Sequence, residues 1–153
     1  MKRRIVFATG NENKMKEIRM ILADLGMEIV SMREAGVDEE IVEDGMSFEE
    51  NAEIKARAVS RVLVNDIVLA DDSGLVVDAL NGAPGLYSAR YAGVDGDEAD
   101  AKNREKLLAE LADVPTERRQ AKFVSTIVLL QHPSDPSPII AQGECDGQII
   151  YEE

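Results

Sequence analysis

The chain has 153 residues, 44% of them hydrophobic and 31% charged, which fits one domain able to bury roughly 70% of its unfolded surface. A net charge of −13 repels nucleic acid and anionic membranes, and a chain with no Trp, three Tyr and three Phe offers little for stacking bases. The lone Cys145 excludes an internal disulfide and a cysteine-built zinc site, so a reducing cytoplasmic setting is expected.

Lys2, Arg3 and Arg4 precede only the short apolar run Ile5 to Ala8, too brief for a signal-peptide core, and no stretch approaches a transmembrane span. That run reads as a buried strand. From Lys14 to Leu25, Met15, Ile18, Ile21, Leu22 and Leu25 recur at helical spacing, and Gly26 ends the helix. The junction between strand and helix is Thr9-Gly10-Asn11-Glu12-Asn13-Lys14. A helix start leaves backbone N–H groups unpaired and partially positive, so it suits an anion. Here the turn adds a hydroxyl, a glycine that allows close approach, an amide and a cation. It reads either as a phosphate cradle or as an ordinary strand-to-helix turn.

Glu28 to Ser31 reads as a second strand, giving the opening of an α/β fold. An acidic loop, Asp38 to Asp44, leads to Ser47-Phe48-Glu49-Glu50, a capping box that starts a helix to about Val64. Asn51 and Lys55 lie four apart on that helix and share a face. They can extend the donor set of the first turn, or Lys55 can simply pair with Asn51 or with a nearby acid. Glu43, just ahead of the turn, is a candidate metal carboxylate.

Ile67 to Ala70 reads as a buried strand interrupted by Asp71-Asp72-Ser73-Gly74, with Leu75 to Val77 extended again. Two carboxylates at the end of a buried strand are costly unless something positive holds them. Alternation points Asp71 and Asp72 to opposite faces. A hard cation such as Mg²⁺ takes carboxylate and water oxygens and bridges to phosphates; the competing reading is a capped turn in which Gly74 supplies positive φ.

Asn81 to Gly96 is glycine-rich and reads as a loop with little regular structure. Ser88 and Arg90 there can meet a phosphate or a neighbouring strand, and Tyr87 and Tyr91 read as packing residues. Asp97 is expected to cap a helix to about Leu111. Two strands close the chain, about Ala121 to Leu130 and Ile139 to Glu144, joined by the Pro-rich turn His132 to Pro138. His132 and Cys145 are assigned no role. The expected architecture is a single α/β domain, a mixed sheet flanked by helices.

Four segments in this order, TGNENK, EDGMSFEENAEIKA, ADDSGL and GAPGLYSARYAG, resemble the inosine/xanthosine triphosphate pyrophosphatase family, the Ham1-like group. The Maf-like pyrophosphatases share the fold but typically open on an SPRR turn, which this chain lacks. The resemblance implies Mg²⁺-dependent hydrolysis of non-standard purine nucleoside triphosphates (ITP, dITP, XTP) to monophosphate and pyrophosphate, by a homodimer. It implies that Thr9, Gly10, Asn11, Glu12, Asn13 and Lys14 hold the triphosphate, with Ser73, Lys55 and Arg90 adding contacts. Asp72 is implied as general base and metal ligand, and Glu43 as second metal ligand, with Glu40 the alternative. Family members continue past the position of Glu153 with a GFGYDP-type segment, a lysine and a Ser-His-Arg, credited with gripping the purine base. None of these lies in this sequence. The expected fold therefore lacks a final strand and helix, leaving apolar surface to be covered.

Overall fold

A computed structural model of the chain describes residues 3–94 and 96–151. Met1, Lys2 of the basic N-terminal run, Asp95 of the glycine-rich segment, Glu152 and Glu153 lie outside the described residues. The elements run β1 (Ile5–Phe7), α1 (Glu12–Ile21), β2 (Ile29–Ser31), α2 (Phe48–Val62), β3 (Ile67–Val77), α3 (Ala99–Glu110), β4 (Gln120–Leu130) and β5 (Ile139–Gln148). They build a mixed five-stranded sheet of order β2-β1-β3-β4-β5, flanked by helices. The chain divides into two compact units, Met1–Asp72 with Thr126–Ala141, and Ser73–Ser125 with Gln142–Glu153.

In the first unit, β1 pairs in parallel with β2 and with β3, in the registers Phe7↔Ser31 and Phe7↔Leu69. Strand alternation sorts the apolar side chains onto two faces. Ile5, Phe7 and Leu69 pack with Met15 and Ile18 of α1. Val6, Ala8, Val68 and Ala70 pack with Ala52, Ala56 and Val59 of α2. Small alanines on α2 let the helix settle closely on the sheet, and the two helices cover opposite faces. The chain leaves β1 toward β2, while β3 lies on the other side of β1. Strand order therefore reverses between β1 and β3, and the carboxyl end of β1, opposite Leu69 of β3, lies at that topological switch point.

The helix starts follow the sequence with small shifts. Asn11 caps α1, its side-chain oxygen accepting from Asn13 N and Lys14 N. Ser47 caps α2 by accepting from Glu50 N at 3.0 Å. The reciprocal half of the capping box differs: Glu50 accepts from Met46 N at 2.7 Å, one residue ahead of the cap. Gly26 takes the left-handed conformation, φ 64°, at the end of the short 3₁₀ turn Ala23–Leu25 that continues α1.

The expectation of a break at Asp71 to Gly74 is corrected. β3 is unbroken from Ile67 to Val77, so these four residues are strand, not turn. Backbone pairing along a sheet outweighs the weak strand propensity of Asp, Ser and Gly. The second unit carries two further corrections. Short 3₁₀ helices, Asp78–Leu80 and Gly85–Arg90, occupy much of the presumed loop. α3 starts at Ala99 with no side-chain cap, so Asp97 does not cap it.

That unit has its own core of Val77, Leu111 and Ala121, with Leu75, Leu80, Leu107, Val114 and Ile149 around it. Arg119 is fully buried beside it. Its guanidinium donates to Val114 O at 2.9 Å, to Ile150 O at 3.1 Å and to Leu111 O, and it stacks on Tyr151. β5 is exposed along its whole length, including the apolar Ile139 and Ile140. Among the described residues no helix is long and apolar enough to cross a membrane.

Candidate active site

The loop after β1 is held together by its own acceptors. Thr9 Oγ1 accepts from Asn11 N at 3.1 Å, and Asn11 Oδ1 accepts from Asn13 N at 2.9 Å and from Lys14 N at 3.1 Å. A hydroxyl can still donate its hydrogen, and an amide keeps two N–H donors. Neither Thr9 Oγ1 nor Asn11 Nδ2 donates to a described residue, so internal bonding leaves these donors unused among the described residues. Gly10, Asn11, Glu12 and Asn13 are exposed, and Thr9 is buried at the strand end. A side chain at Gly10 would meet nothing within 4 Å, so neither packing nor positive φ requires glycine there. Open space for a ligand is what that position provides.

Lys14 is not free. Its Nζ lies 3.0 Å from Asp71 Oδ2, and the Asp71 side chain is 10% exposed against 35% for Lys14. The other Asp71 oxygen, Oδ1, is buried without a hydrogen-bond partner among the described residues. Asp71 follows Ile67 and Leu69 on the face covered by α1, and alternation puts Asp72 after Val68 and Ala70 on the face covered by α2. The two adjacent aspartates thus serve opposite sides of the sheet. Asp72 is half-buried.

The α2 face brings a second ion pair. Lys55 Nζ lies 3.0 Å from Glu43 Oε1, with both side chains largely covered. Asn51 is not the partner of Lys55, because its oxygen accepts from Gly45 N at 2.8 Å. Glu40 is exposed and has no such neighbour among the described residues. The first unit carries Thr9 to Lys14 after β1, Asp71 and Asp72 within β3, and the Glu43–Lys55 pair at α2.

Two other expected site residues, Ser73 and Arg90, belong to the second unit. Ser73 is half-buried within β3. Arg90 is exposed, and its carbonyl accepts from Gly93 N at 3.0 Å. Ser88 takes the structural alternative: its Oγ accepts from Leu75 N at 2.9 Å and donates to Gly85 O at 2.7 Å. Asn103 fastens the same segment, accepting from Ala92 N at 2.8 Å and donating to Ala89 O at 3.1 Å. Tyr91 meets Glu110 through its hydroxyl and lies under Lys106 Nζ. Burial and the Glu110 carboxylate push the Tyr91 hydroxyl up to about 12. Tyr87 is exposed rather than packed.

Asp71 and Gly45 were not assigned to the site from the sequence. Asn51 was read with Lys55 as extending the donor set, and its amide oxygen instead accepts from Gly45 N.

The donors fit a hard cation. The candidate ligands Asp72 and Glu43 offer only carboxylate oxygens, the donor type such a cation takes. No group of three or more His, Cys, Asp or Glu able to hold a metal occurs among the described residues.

Fold and site together define an α/β protein with a Thr-Gly-Asn-Glu-Asn-Lys loop after β1 and adjacent aspartates in β3, beside a topological switch point. The model of the Ham1 family matches residues 5–153. The dITP/XTP pyrophosphatase of Haemophilus influenzae is 60% identical over 153 residues, which is 100% of this chain and 76% of that protein. The enzyme of the same name from Mannheimia succiniciproducens is 59% identical, with the same coverage. Among solved structures, a HAM1 protein from Coxiella burnetii superposes with a TM-score of 0.86 at 38% identity, covering 98% of this chain and 74% of that one. The chain belongs to the Ham1 family. It spans about three quarters of the length of these relatives.

Proposed function

We propose that the chain is a nucleoside triphosphate pyrophosphohydrolase acting on non-standard purine nucleotides, dITP, XTP and ITP, with Mg²⁺ as cofactor. The observation that carries this reading is the two lysine–carboxylate pairs, Lys14 with Asp71 and Lys55 with Glu43, in the unit that also carries the Thr9 to Lys14 loop. The names of relatives 59% and 60% identical over the whole chain support the substrate class.

In this reading the triphosphate lies against Thr9, Gly10, Asn11, Glu12, Asn13 and Lys14. Thr9 Oγ1 and the Asn11 amide donate to phosphate oxygens, and Lys14 and Lys55 neutralise charge on them. The carboxylates of Asp72 and Glu43, rather than Glu40, would hold Mg²⁺, which when bound screens the phosphate charge and polarises the phosphorus. Asp72 accepts the proton of a water whose oxygen attacks the α-phosphorus. The bond from that phosphorus to the bridging oxygen breaks, and pyrophosphate leaves in line. A positioned carboxylate base contributes about 10²–10⁴-fold.

The test is pyrophosphate release from dITP, XTP, ITP, ATP and GTP, with Asp72→Asn as control. Release from the first three that Asp72→Asn abolishes is the expected result. Triphosphate binding without turnover would overturn the enzyme reading and leave a nucleotide-binding protein. A homodimer and a cytoplasmic location belong to the same proposal. Sedimentation at micromolar concentration tests the first, and cell fractionation the second.

A further inference from the structure

Glu43 lies in an irregular stretch, residues 38–46, that has no helix or strand to hold it. A carboxylate on such a segment can take many positions, and ordering it costs about 1–2 kcal/mol per residue. Two consecutive backbone N–H groups just beyond it are nonetheless fastened to the first turn of α2. Gly45 N donates to Asn51 Oδ1 at 2.8 Å, and Met46 N donates to Glu50 Oε2 at 2.7 Å. Asn51 is 4% exposed, deep for an amide in a helix interior, where alanine or leucine forms helix more readily.

Gly45 is shaped to this contact. A Cβ there would lie 2.7 Å from Asn51 Oδ1 and 2.8 Å from Glu50 Cβ. Its φ is not positive, so glycine is required by close approach and not by backbone conformation. One helical turn after Asn51, on the same face, Lys55 meets Glu43 at 3.0 Å. Asn51 and Lys55 therefore grip one loop at two points, the first by its backbone and the second by its carboxylate.

We propose that Asn51 is a positioning residue whose amide oxygen, through Gly45 N, sets where the Glu43 carboxylate is presented to the cation. The proposal rests on the assignment of Glu43 as a ligand. Outer partners of this kind change metal affinity by about 10–100-fold when removed.

The experiment measures Mn²⁺ binding to the whole chain, by electron paramagnetic resonance and calorimetry, for wild type, Asn51→Ala, Gly45→Ala and Ser47→Ala. Ser47→Ala removes the helix cap and lowers stability while leaving the Asn51–Gly45 bond in place. Asn51→Ala and Gly45→Ala are expected to raise the dissociation constant for Mn²⁺ about ten-fold or more, with Ser47→Ala within about two-fold. Equal weakening by Ser47→Ala, or wild-type affinity in Asn51→Ala, overturns the proposal. A wild-type chain that binds no Mn²⁺ refutes instead the ligand assignment of Glu43. The latch is then read by amide hydrogen exchange over residues 39–46, expected to quicken about ten-fold in Asn51→Ala but not in Ser47→Ala; unchanged exchange refutes it.

Discussion

Lys14 and Asp71 form a pair of unequal burial, and the inequality predicts unequal mutants. At 3.0 Å and an effective dielectric of about 20 the gross attraction is about 5.5 kcal/mol, most of it offset by the desolvation of Asp71. Lys14→Met leaves a carboxylate whose side chain is only 10% exposed, with one oxygen already lacking a hydrogen bond among the described residues. Stripping the partner from a fully buried charge costs about 3–5 kcal/mol. Lys14 is 35% exposed, so water enters in its place and the expected cost is about 2–3 kcal/mol. Asp71→Asn keeps the shape, and the released lysine turns to water, so about 1 kcal/mol is expected. The double variant should be more stable than Lys14→Met alone. Urea unfolding of the four proteins forms the cycle. Equal losses for the two single variants, or strict additivity, would refute the view that Asp71 is the dependent member of the pair.

The two faces of α1 give a packing contrast. Met15→Ala, at a residue 1% exposed, should cost about 2–5 kcal/mol, while Met20→Ala, at 72% exposed, should stay within about 0.5 kcal/mol in urea melts. Arg119→Ala removes the guanidinium that serves the carbonyls of Val114, Ile150 and Leu111, and should cost about 2–4 kcal/mol by the same measure. Two carboxyls sit below their ordinary values. Glu34, ordinarily 4.5, is lowered by the Ser31 backbone N–H and by Arg19. Asp135, ordinarily 3.8, is lowered by the backbone N–H groups of Gln131 and Ser137. Because their folded values are depressed, their stabilisation is present above those ordinary values and is lost as pH falls through the folded ones. The urea midpoint should drop as pH is lowered from about 5 to about 3, and drop less in Asp135→Asn.

Local chemistry made much of this protein legible from its residues. The apolar run Ile5 to Ala8, the period of Met15 and Ile18, the left-handed Gly26 and the Ser47 cap each follow from rules that act within a few residues. The alternation of Asp71 and Asp72 is likewise local, and the sheet preserves it. What failed was the inference of a turn from Asp-Asp-Ser-Gly. Those residues favour turns when isolated, but hydrogen bonding inside the sheet holds them extended.

The tertiary structure decided which partner each charged side chain takes. Asn51 or a nearby acid was open to Lys55, and packing of the loop on α2 pairs it with Glu43. Lys14 read as a cation facing a ligand, yet parallel pairing of β1 with β3 brings Asp71 beside it. Gly45 and Asn51, six residues apart, gained meaning only from a 2.8 Å contact that neither residue announces alone. Helical period, caps and strand alternation are short-range and written in the order of residues. The pairing of charges depends on where strand register and helix docking bring distant segments, and on the desolvation that makes one partner indispensable to the other.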